Sequence, residues 1–73
     1  MSRLPVISGN ECINTLRKAG FYFKRQKGSH VSLRRDEPFV QVVVPLHKEL
    51  DRGTLRAIIR QAGLSIEGFR ELL

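Results

Sequence analysis

The chain has 73 residues, of which 41% are hydrophobic and 27% charged, and its formal net charge is +6. This length allows one domain with one core, and the composition is that of a globular protein rather than a disordered one. No apolar run reaches the ~20 residues that cross a bilayer, and the single cysteine forms no internal disulfide, so we expect a cytoplasmic protein. Its positive charge is expected to attract nucleic acid or an acidic protein rather than a membrane surface.

A first helix is predicted from about Gly9 to Ala19. Ser8 and Glu11 have the spacing of a capping box, in which each side chain accepts a hydrogen bond from the other residue's backbone N–H. Apolar residues then recur at helical spacing, and a glycine follows as the usual stop. Residues 1–7 precede this helix as an extension to which the sequence assigns no role.

From Phe21 the apolar pattern changes to a period of two, which predicts two strands joined by a turn at Lys27–Ser29. Placing Lys24 opposite Ser32 gives a self-consistent hairpin with one apolar and one polar face. The apolar face then holds Phe21, Phe23, Val31 and Leu33, and the polar face holds Tyr22, Lys24, Gln26, His30, Ser32 and Arg34.

A third strand is predicted from Phe39 to Val44, after a turn at Asp36–Pro38. Pairing Leu33 with Val42 places the three even-numbered valines of this strand on the apolar face. The three strands therefore form an antiparallel sheet with one face to bury.

Two more helices complete the predicted fold. Asp51 caps a long helix that runs to about Ala62, and Ser65 caps a short C-terminal helix. Because both long helices must cover the one apolar sheet face, the fold class is α+β. The order of helix, three-stranded antiparallel sheet and helix, with a short final helix, is that of double-stranded-RNA-binding domains.

Positive charge is concentrated at the hairpin. Residues 12–35 contain seven Lys or Arg and no Asp or Glu, so the rest of the chain sums to −1 against the total of +6. Glycine in the turn lets backbone N–H groups approach a phosphate closely, although turn formation alone also explains the Gly-Ser pair. The candidate RNA contacts are Lys24, Gln26, Lys27, Gly28, Ser29 and Arg34.

His30 is the candidate catalytic residue, beside the turn on the polar face. A neutral imidazole can remove the proton from a ribose 2′-hydroxyl, which then attacks the adjacent phosphorus while Lys or Arg stabilises the added charge. The alternative is an ordinary solvated histidine. His47 follows the third strand near the same predicted end of the sheet, either as an auxiliary acid or as a loop residue bonded to the backbone.

Other chemistry has weaker support. The carboxylates occupy turn and capping positions, and two histidines with one distant cysteine do not make a zinc site, so no metal and no cofactor are expected. Cys12 has the position of a buried core residue. Arg52, Arg56 and Arg60 form a stripe along the second long helix, either as a solvated face or as further phosphate contacts.

Four segments of the chain resemble the HicA-type (YcfA-like) toxins of bacterial toxin–antitoxin pairs. They are Leu16–Phe21 (LRKAGF), Arg25–His30 (RQKGSH), Val44–His47 (VPLH) and Gly53–Leu64 (GTLRAIIRQAGL). Their order and spacing are family-like from about residue 12 to residue 73. The Gly-Ser-His and Gly-Thr-Leu-x-x-Ile elements are fairly specific together and weak alone.

The resemblance implies a metal-independent endoribonuclease, an mRNA interferase, in which the histidine of Gly-Ser-His, here His30, is catalytic. It also implies a HicB-type antitoxin as protein partner and messenger RNA rather than DNA as substrate. Residues 1–73 then form a single toxin domain. Two alternatives stay open: a non-catalytic double-stranded-RNA-binding module, and a helix-turn-helix DNA-binding regulator built from residues 55–73, which the acidic Glu67 and Glu71 of the final helix disfavour.

Overall fold

The computed structural model describes residues 3–73, so Met1 and Ser2 of the predicted extension lie outside the described residues. Its elements in chain order are α1 (Gly9–Lys18), β1 (Tyr22–Lys27), β2 (His30–Asp36), β3 (Phe39–Pro45), α2 (Arg52–Gln61) and α3 (Ile66–Leu72). The strands form one antiparallel sheet in the order β1-β2-β3. The predicted α+β fold is confirmed. No helix within residues 3–73 has both the length and the apolar character to cross a membrane.

Each helix begins at the capping residue that the sequence predicts. At α1, the Ser8 N–H donates to Glu11 Oε1 at 2.9 Å and the Glu11 N–H donates to Ser8 Oγ at 3.1 Å. At α2, Asp51 Oδ1 accepts from the Thr54 N–H at 2.7 Å, and at α3 Ser65 Oγ accepts a backbone N–H at 2.9 Å. These bonds satisfy N–H groups of the first turn that have no partner inside a helix, so short local patterns determine where the helices start.

The core lies between one face of the sheet and the helices. Leu33 of β2 lies opposite Val42 of β3, as predicted, and both are buried. Helices α1 and α2 pack against β3, and α3 contributes the fully buried Phe69. The other buried hydrophobic residues are Leu4, Ile7, Cys12, Leu16, Phe21, Val31, Val44, Leu50, Leu55, Ile58, Ile59 and Ala62.

The described part of the N-terminal extension belongs to this core. Leu4 and Ile7 are buried, and the Ile7 carbonyl accepts a hydrogen bond from the Leu50 N–H at 2.9 Å. The Arg3 carbonyl accepts from Arg70 Nη1 of α3, also at 2.9 Å. Residues 3–7 thus join the loop before α2 to α3, a role that the sequence did not reveal because no periodic pattern marks it.

The register of β1 on β2 differs from the regular one that the sequence predicts. Phe23 lies opposite Leu33, in agreement with the hydrophobic pattern. The next pair, however, is Arg25 with Ser32, so Lys24 is an extra residue that forms a β-bulge. The predicted pairing of Lys24 with Ser32 is therefore wrong.

The bulge follows from the turn. Lys27 pairs with His30, so only Gly28 and Ser29 connect the two strands. Gly28 has a φ of +60°, which the first central residue of a type II′ hairpin turn requires. The two-residue turn pairs Lys27 with His30, and the hydrophobic pattern pairs Phe23 with Leu33. These two pairs belong to registers that differ by one residue, and the bulge accommodates the extra residue.

Strand β1 is an edge strand of the sheet, and all six of its residues are exposed. Phe23, predicted on the apolar core face, is 55% exposed. Helices α1 and α2 pack on β3 at the opposite edge, so they leave this ring largely uncovered. The prediction that Phe23 belongs to the core is wrong.

Candidate nucleic-acid interface

The sheet face turned away from the helices carries the candidate catalytic residue. We call it the outer face and define it by the residues that pair with one another in register and alternate with the buried ones. It comprises Tyr22, Arg25, Lys27, His30, Ser32, Arg34, Asp36, Phe39, Gln41 and Val43, of which Ser32 is buried and the others are exposed or half-buried.

His30 begins β2 at the turn end of the outer face. It pairs with Lys27 of β1 on one side and with Pro45 of β3 on the other, and it is exposed. Among residues 3–73, no side-chain hydrogen bond involves its imidazole. The ring is therefore free to meet a ligand from solvent, as the sequence predicts for its position.

The bulge changes which basic residues share the face with His30. Arg25, opposite Ser32, joins Lys27 there, whereas Gln26 pairs with Val31 of the buried face. The Gln26 amide instead donates to the Gly28 carbonyl at 3.0 Å and supports the turn. Lys24 is the bulged residue and has no partner on β2, and Gln26 pairs with a residue of the buried face, contrary to prediction. The RNA contacts of both residues remain predictions.

Sequence reasoning missed Arg25 at this face. The signal was present, because a Gly-Ser pair typical of a two-residue turn conflicts with the hydrophobic register of the two strands. A conflict of one residue between these two constraints predicts a bulge between the turn and the first apolar pair.

The turn itself is open to solvent. A Cβ added at Gly28 would meet no atom within 4 Å, so glycine is needed there for its positive φ and not for lack of space. The Ser29 carbonyl accepts from the Leu46 N–H at 2.7 Å, which joins the turn to the end of β3. The Ser29 side chain, like that of Lys27, is exposed.

At the other end of the outer face, Arg34 is held between two aromatic rings. Its guanidinium carbon lies 5.9 Å from the ring centroid of Tyr22 and 5.5 Å from that of Phe39. Arg34 Nε donates to the Tyr22 hydroxyl at 2.9 Å and lies 3.3 Å from Asp36 Oδ1. The hydrogen bond to Tyr22 and the nearby Asp36 raise the pKa of Arg34, so it remains a cation.

Arg35, by contrast, belongs to the helical side of the sheet. Its guanidinium carbon lies 4.8 Å from the centroid of the buried Phe21 ring, and its Nη2 donates to the Ala62 carbonyl at the C-terminus of α2 at 3.3 Å. A cation at this position interacts favourably with the partial negative charge of a helix C-terminus. One of the seven basic residues of the hairpin region is therefore structural.

His47 lies at the same end of the sheet as His30, two residues beyond the strand partner of His30. It is exposed, and its carbonyl accepts from the Gly9 N–H at 2.9 Å. Its predicted partnership with His30 remains a prediction.

The arginine stripe of α2 lies on the helical side of the molecule. Arg52, Arg56 and Arg60 are exposed, and Arg52 and Arg56 line a shallow groove with residues of the N-terminal segment. Arg70 of α3 is engaged with the Arg3 carbonyl. The predicted stripe is thus present, but it is separated from the outer face by the thickness of the sheet.

The remaining candidate chemistry is limited by burial. Cys12 is fully buried, and burial raises the pKa of its thiol to about 12, so the thiolate required of a nucleophile does not form at neutral pH. Within residues 3–73, no group of three or more His, Cys, Asp or Glu side chains is arranged to hold a metal ion.

Comparison with known families identifies a match over most of the chain. The sequence model of a family described as the HicA toxin of bacterial toxin–antitoxin matches residues 9–64. This span covers α1, the whole sheet and α2, and it includes both histidines. A search of curated proteins finds no match.

Proposed function

Because the chain belongs to the HicA toxin family, we propose that it is an endoribonuclease that cleaves messenger RNA with His30 as its catalytic residue. It is the toxin of a toxin–antitoxin pair, and its family implies an antitoxin as partner. We further propose that this antitoxin is of the HicB type and neutralises the toxin by masking His30. A messenger RNA substrate implies action in the cytoplasm.

The observation that carries this proposal is the setting of His30. Its imidazole is exposed on a sheet face where Lys27 is its direct strand neighbour and Arg25 lies two pairs further along, opposite Ser32. A base that is open to solvent and flanked by cations suits a polyanionic substrate whose nucleophile, the 2′-hydroxyl, is already attached to it.

In the proposed reaction, a neutral His30 removes the proton of a ribose 2′-hydroxyl. The 2′-oxygen bonds to the adjacent phosphorus, and Lys27 and Arg25 stabilise the additional negative charge on the phosphoryl oxygens. The bond from phosphorus to the 5′-oxygen then breaks, and that oxygen takes a proton from the His30 imidazolium or from water. The products are a 2′,3′-cyclic phosphate and a 5′-hydroxyl, so DNA is not a substrate.

The decisive experiment compares purified wild type with His30→Ala and His47→Ala on end-labelled RNA. Losing a general base lowers the rate by about 10²- to 10⁴-fold, so we expect His30→Ala to lose cleavage to that extent while it still binds RNA. Cleavage by wild type should persist in EDTA. Equal cleavage by wild type and His30→Ala would refute the catalytic role of His30. Because His30→Ala is purified in the same way as wild type, it also serves as the control for contaminating nuclease.

His47→Ala tests the auxiliary role separately. If His47 donates the proton to the leaving oxygen, His47→Ala should also lower the cleavage rate by about 10²- to 10⁴-fold while it still binds RNA. A rate equal to that of wild type would mean that His47 takes no part and that water or His30 supplies this proton.

A further inference from the structure

We propose that Tyr22, Arg34 and Phe39 form a stacking platform for unpaired bases, so that the substrate of this chain is single-stranded RNA. This inference rests on the proposed ribonuclease function and specifies its substrate class. We call these three residues the aromatic platform.

The platform exposes flat apolar surface that the fold does not use. Phe39 is 64% exposed and Tyr22 is 38% exposed, although both are large hydrophobic side chains on a sheet face. The Arg34 guanidinium lies within 6 Å of both ring centroids, at distances of 5.9 and 5.5 Å. Aromatic rings and a guanidinium plane are the surfaces on which proteins stack splayed nucleic-acid bases.

Hydrogen bonds hold two members of the platform, Tyr22 and Arg34, in place in the free protein. The Tyr22 hydroxyl donates to the Asp36 carboxylate, with distances of 3.0 and 3.1 Å to its two oxygens, and accepts from Arg34 Nε at 2.9 Å. Asp36 also pairs with Arg34 at 3.3 Å. A surface that is already ordered loses little conformational freedom when a ligand binds, so its contacts contribute more fully to affinity.

The platform is continuous with the proposed catalytic position. Arg34 lies four residues from His30 along β2, about 13 Å at the rise of a strand, and Ser32 lies between them on the same face. Arg25 pairs with Ser32 midway. An RNA strand whose scissile phosphate reaches His30 can therefore follow β2, with its backbone near Arg25 and Lys27 and its bases on the platform.

Charge and ring geometry together favour single-stranded RNA over the other candidate occupants. The outer face carries Arg25, Lys27 and Arg34 against one carboxylate, Asp36, which is itself paired with Arg34. Duplex RNA keeps its base faces stacked inside the helix, so it cannot use exposed aromatic rings. A bound protein segment would use these rings only as apolar surface, which leucine also provides. Comparing Phe39→Leu with Phe39→Trp therefore separates base stacking from apolar packing.

The test measures RNA affinity in the His30→Ala background, where the ligand stays intact. Fluorescence anisotropy with a labelled single-stranded 12-mer and with a labelled hairpin duplex would compare Phe39→Leu and Phe39→Trp. Leucine is apolar but has no aromatic face, whereas tryptophan retains an aromatic face. We expect Phe39→Leu to weaken single-strand binding at least about fivefold, Phe39→Trp to retain it, and duplex binding to change little.

Val6→Ala is the matched control, because Val6 is 74% exposed but lies on the N-terminal segment, outside the outer face. Its affinity should equal that of the parent. Thermal melts check that each variant is folded, which the exposure of Phe39 leads us to expect.

Equal single-strand affinity of Phe39→Leu and its parent would overturn the platform, as would an equal loss for both ligands. Loss of antitoxin binding without loss of RNA binding would identify a protein-docking surface and also overturn it. RNA cleavage is measured separately, in chains that retain His30. If RNA is cleaved but Phe39→Leu binds it normally, only the platform is refuted and the ribonuclease proposal stands. If Phe39→Leu weakens single-strand binding but wild type cleaves no RNA, only the ribonuclease proposal is refuted.

Discussion

The bulge at Lys24 makes a quantitative prediction for Arg25. The structure places Arg25 opposite Ser32 on the outer face, whereas a regular register would turn it towards the other side of the sheet. Arg25→Gln removes the cation and keeps a polar side chain with the same methylene groups at Cβ and Cγ. If RNA crosses the outer face, this substitution should weaken binding and also reduce its dependence on salt.

The expected size follows from the cations beside the proposed path of the RNA backbone, which are Arg25 and Lys27, because Arg34 is paired with Asp36 and belongs to the platform. Each phosphate neutralised on a single strand contributes about −0.7 to the slope of log K against log salt concentration. Two contacts give a slope of about −1.4 and one gives about −0.7. Between 50 and 200 mM salt, affinity should therefore fall about 7-fold for the parent and about 2.6-fold for Arg25→Gln.

The assay is a salt titration of single-stranded RNA binding by fluorescence anisotropy in the His30→Ala background. Arg60→Gln is the matched control, because Arg60 is an exposed arginine of α2 on the helical side of the sheet. Its slope should equal that of the parent. A reduced slope for Arg60→Gln together with an unchanged slope for Arg25→Gln would show that RNA binds the helical side, and the reasoning from register would be refuted.

Three further predictions concern the scaffold around the site. A Cβ at Gly9 would collide with a carbonyl oxygen of β3, so Gly9→Ala should lower the free energy of unfolding by about 1–3 kcal/mol. A Cβ at Gly53 would make only ordinary contact, so Gly53→Ala should raise the free energy of unfolding by about 0.5 kcal/mol. Urea titrations check both signs. Because burial raises the pKa of the Cys12 thiol to about 12, iodoacetamide at pH 8 should label the chain only when it is unfolded, and fast labelling of native protein would contradict this. Hydrogen bonds from Thr54 lower the pKa of Asp51 in the folded protein. The ionised Asp51 carboxylate therefore stabilises the fold fully above its pKa in the unfolded chain, about 3.9. This stabilisation is lost as pH falls through the lower pKa that Asp51 has in the folded protein. Asp51→Ala should thus lower the Tm at pH 7 and flatten the fall in Tm at acid pH, and an unchanged acid profile would exclude this carboxylate as a contributor.

Local sequence patterns determined most of the architecture. The capping pairs at Ser8 and Asp51 set the starts of α1 and α2, and alternation of apolar residues set the pairing of Leu33 with Val42. Each of these depends on hydrogen bonds or side-chain periodicity within a few residues, so the chain reveals them without a partner element. The exposed position of His30 followed from the same alternation.

The composition of the outer face was decided only by the tertiary structure. The turn at Gly28 and the apolar pairing at Phe23 require different registers. The bulge that reconciles them places Lys27 instead of Gln26 opposite His30, and Arg25 instead of Lys24 opposite Ser32. Which strand stays uncovered depends on where two helices dock, and the exposure of Phe23 is the result. Such outcomes are compromises between interactions from distant segments, so no single stretch of the chain encodes them.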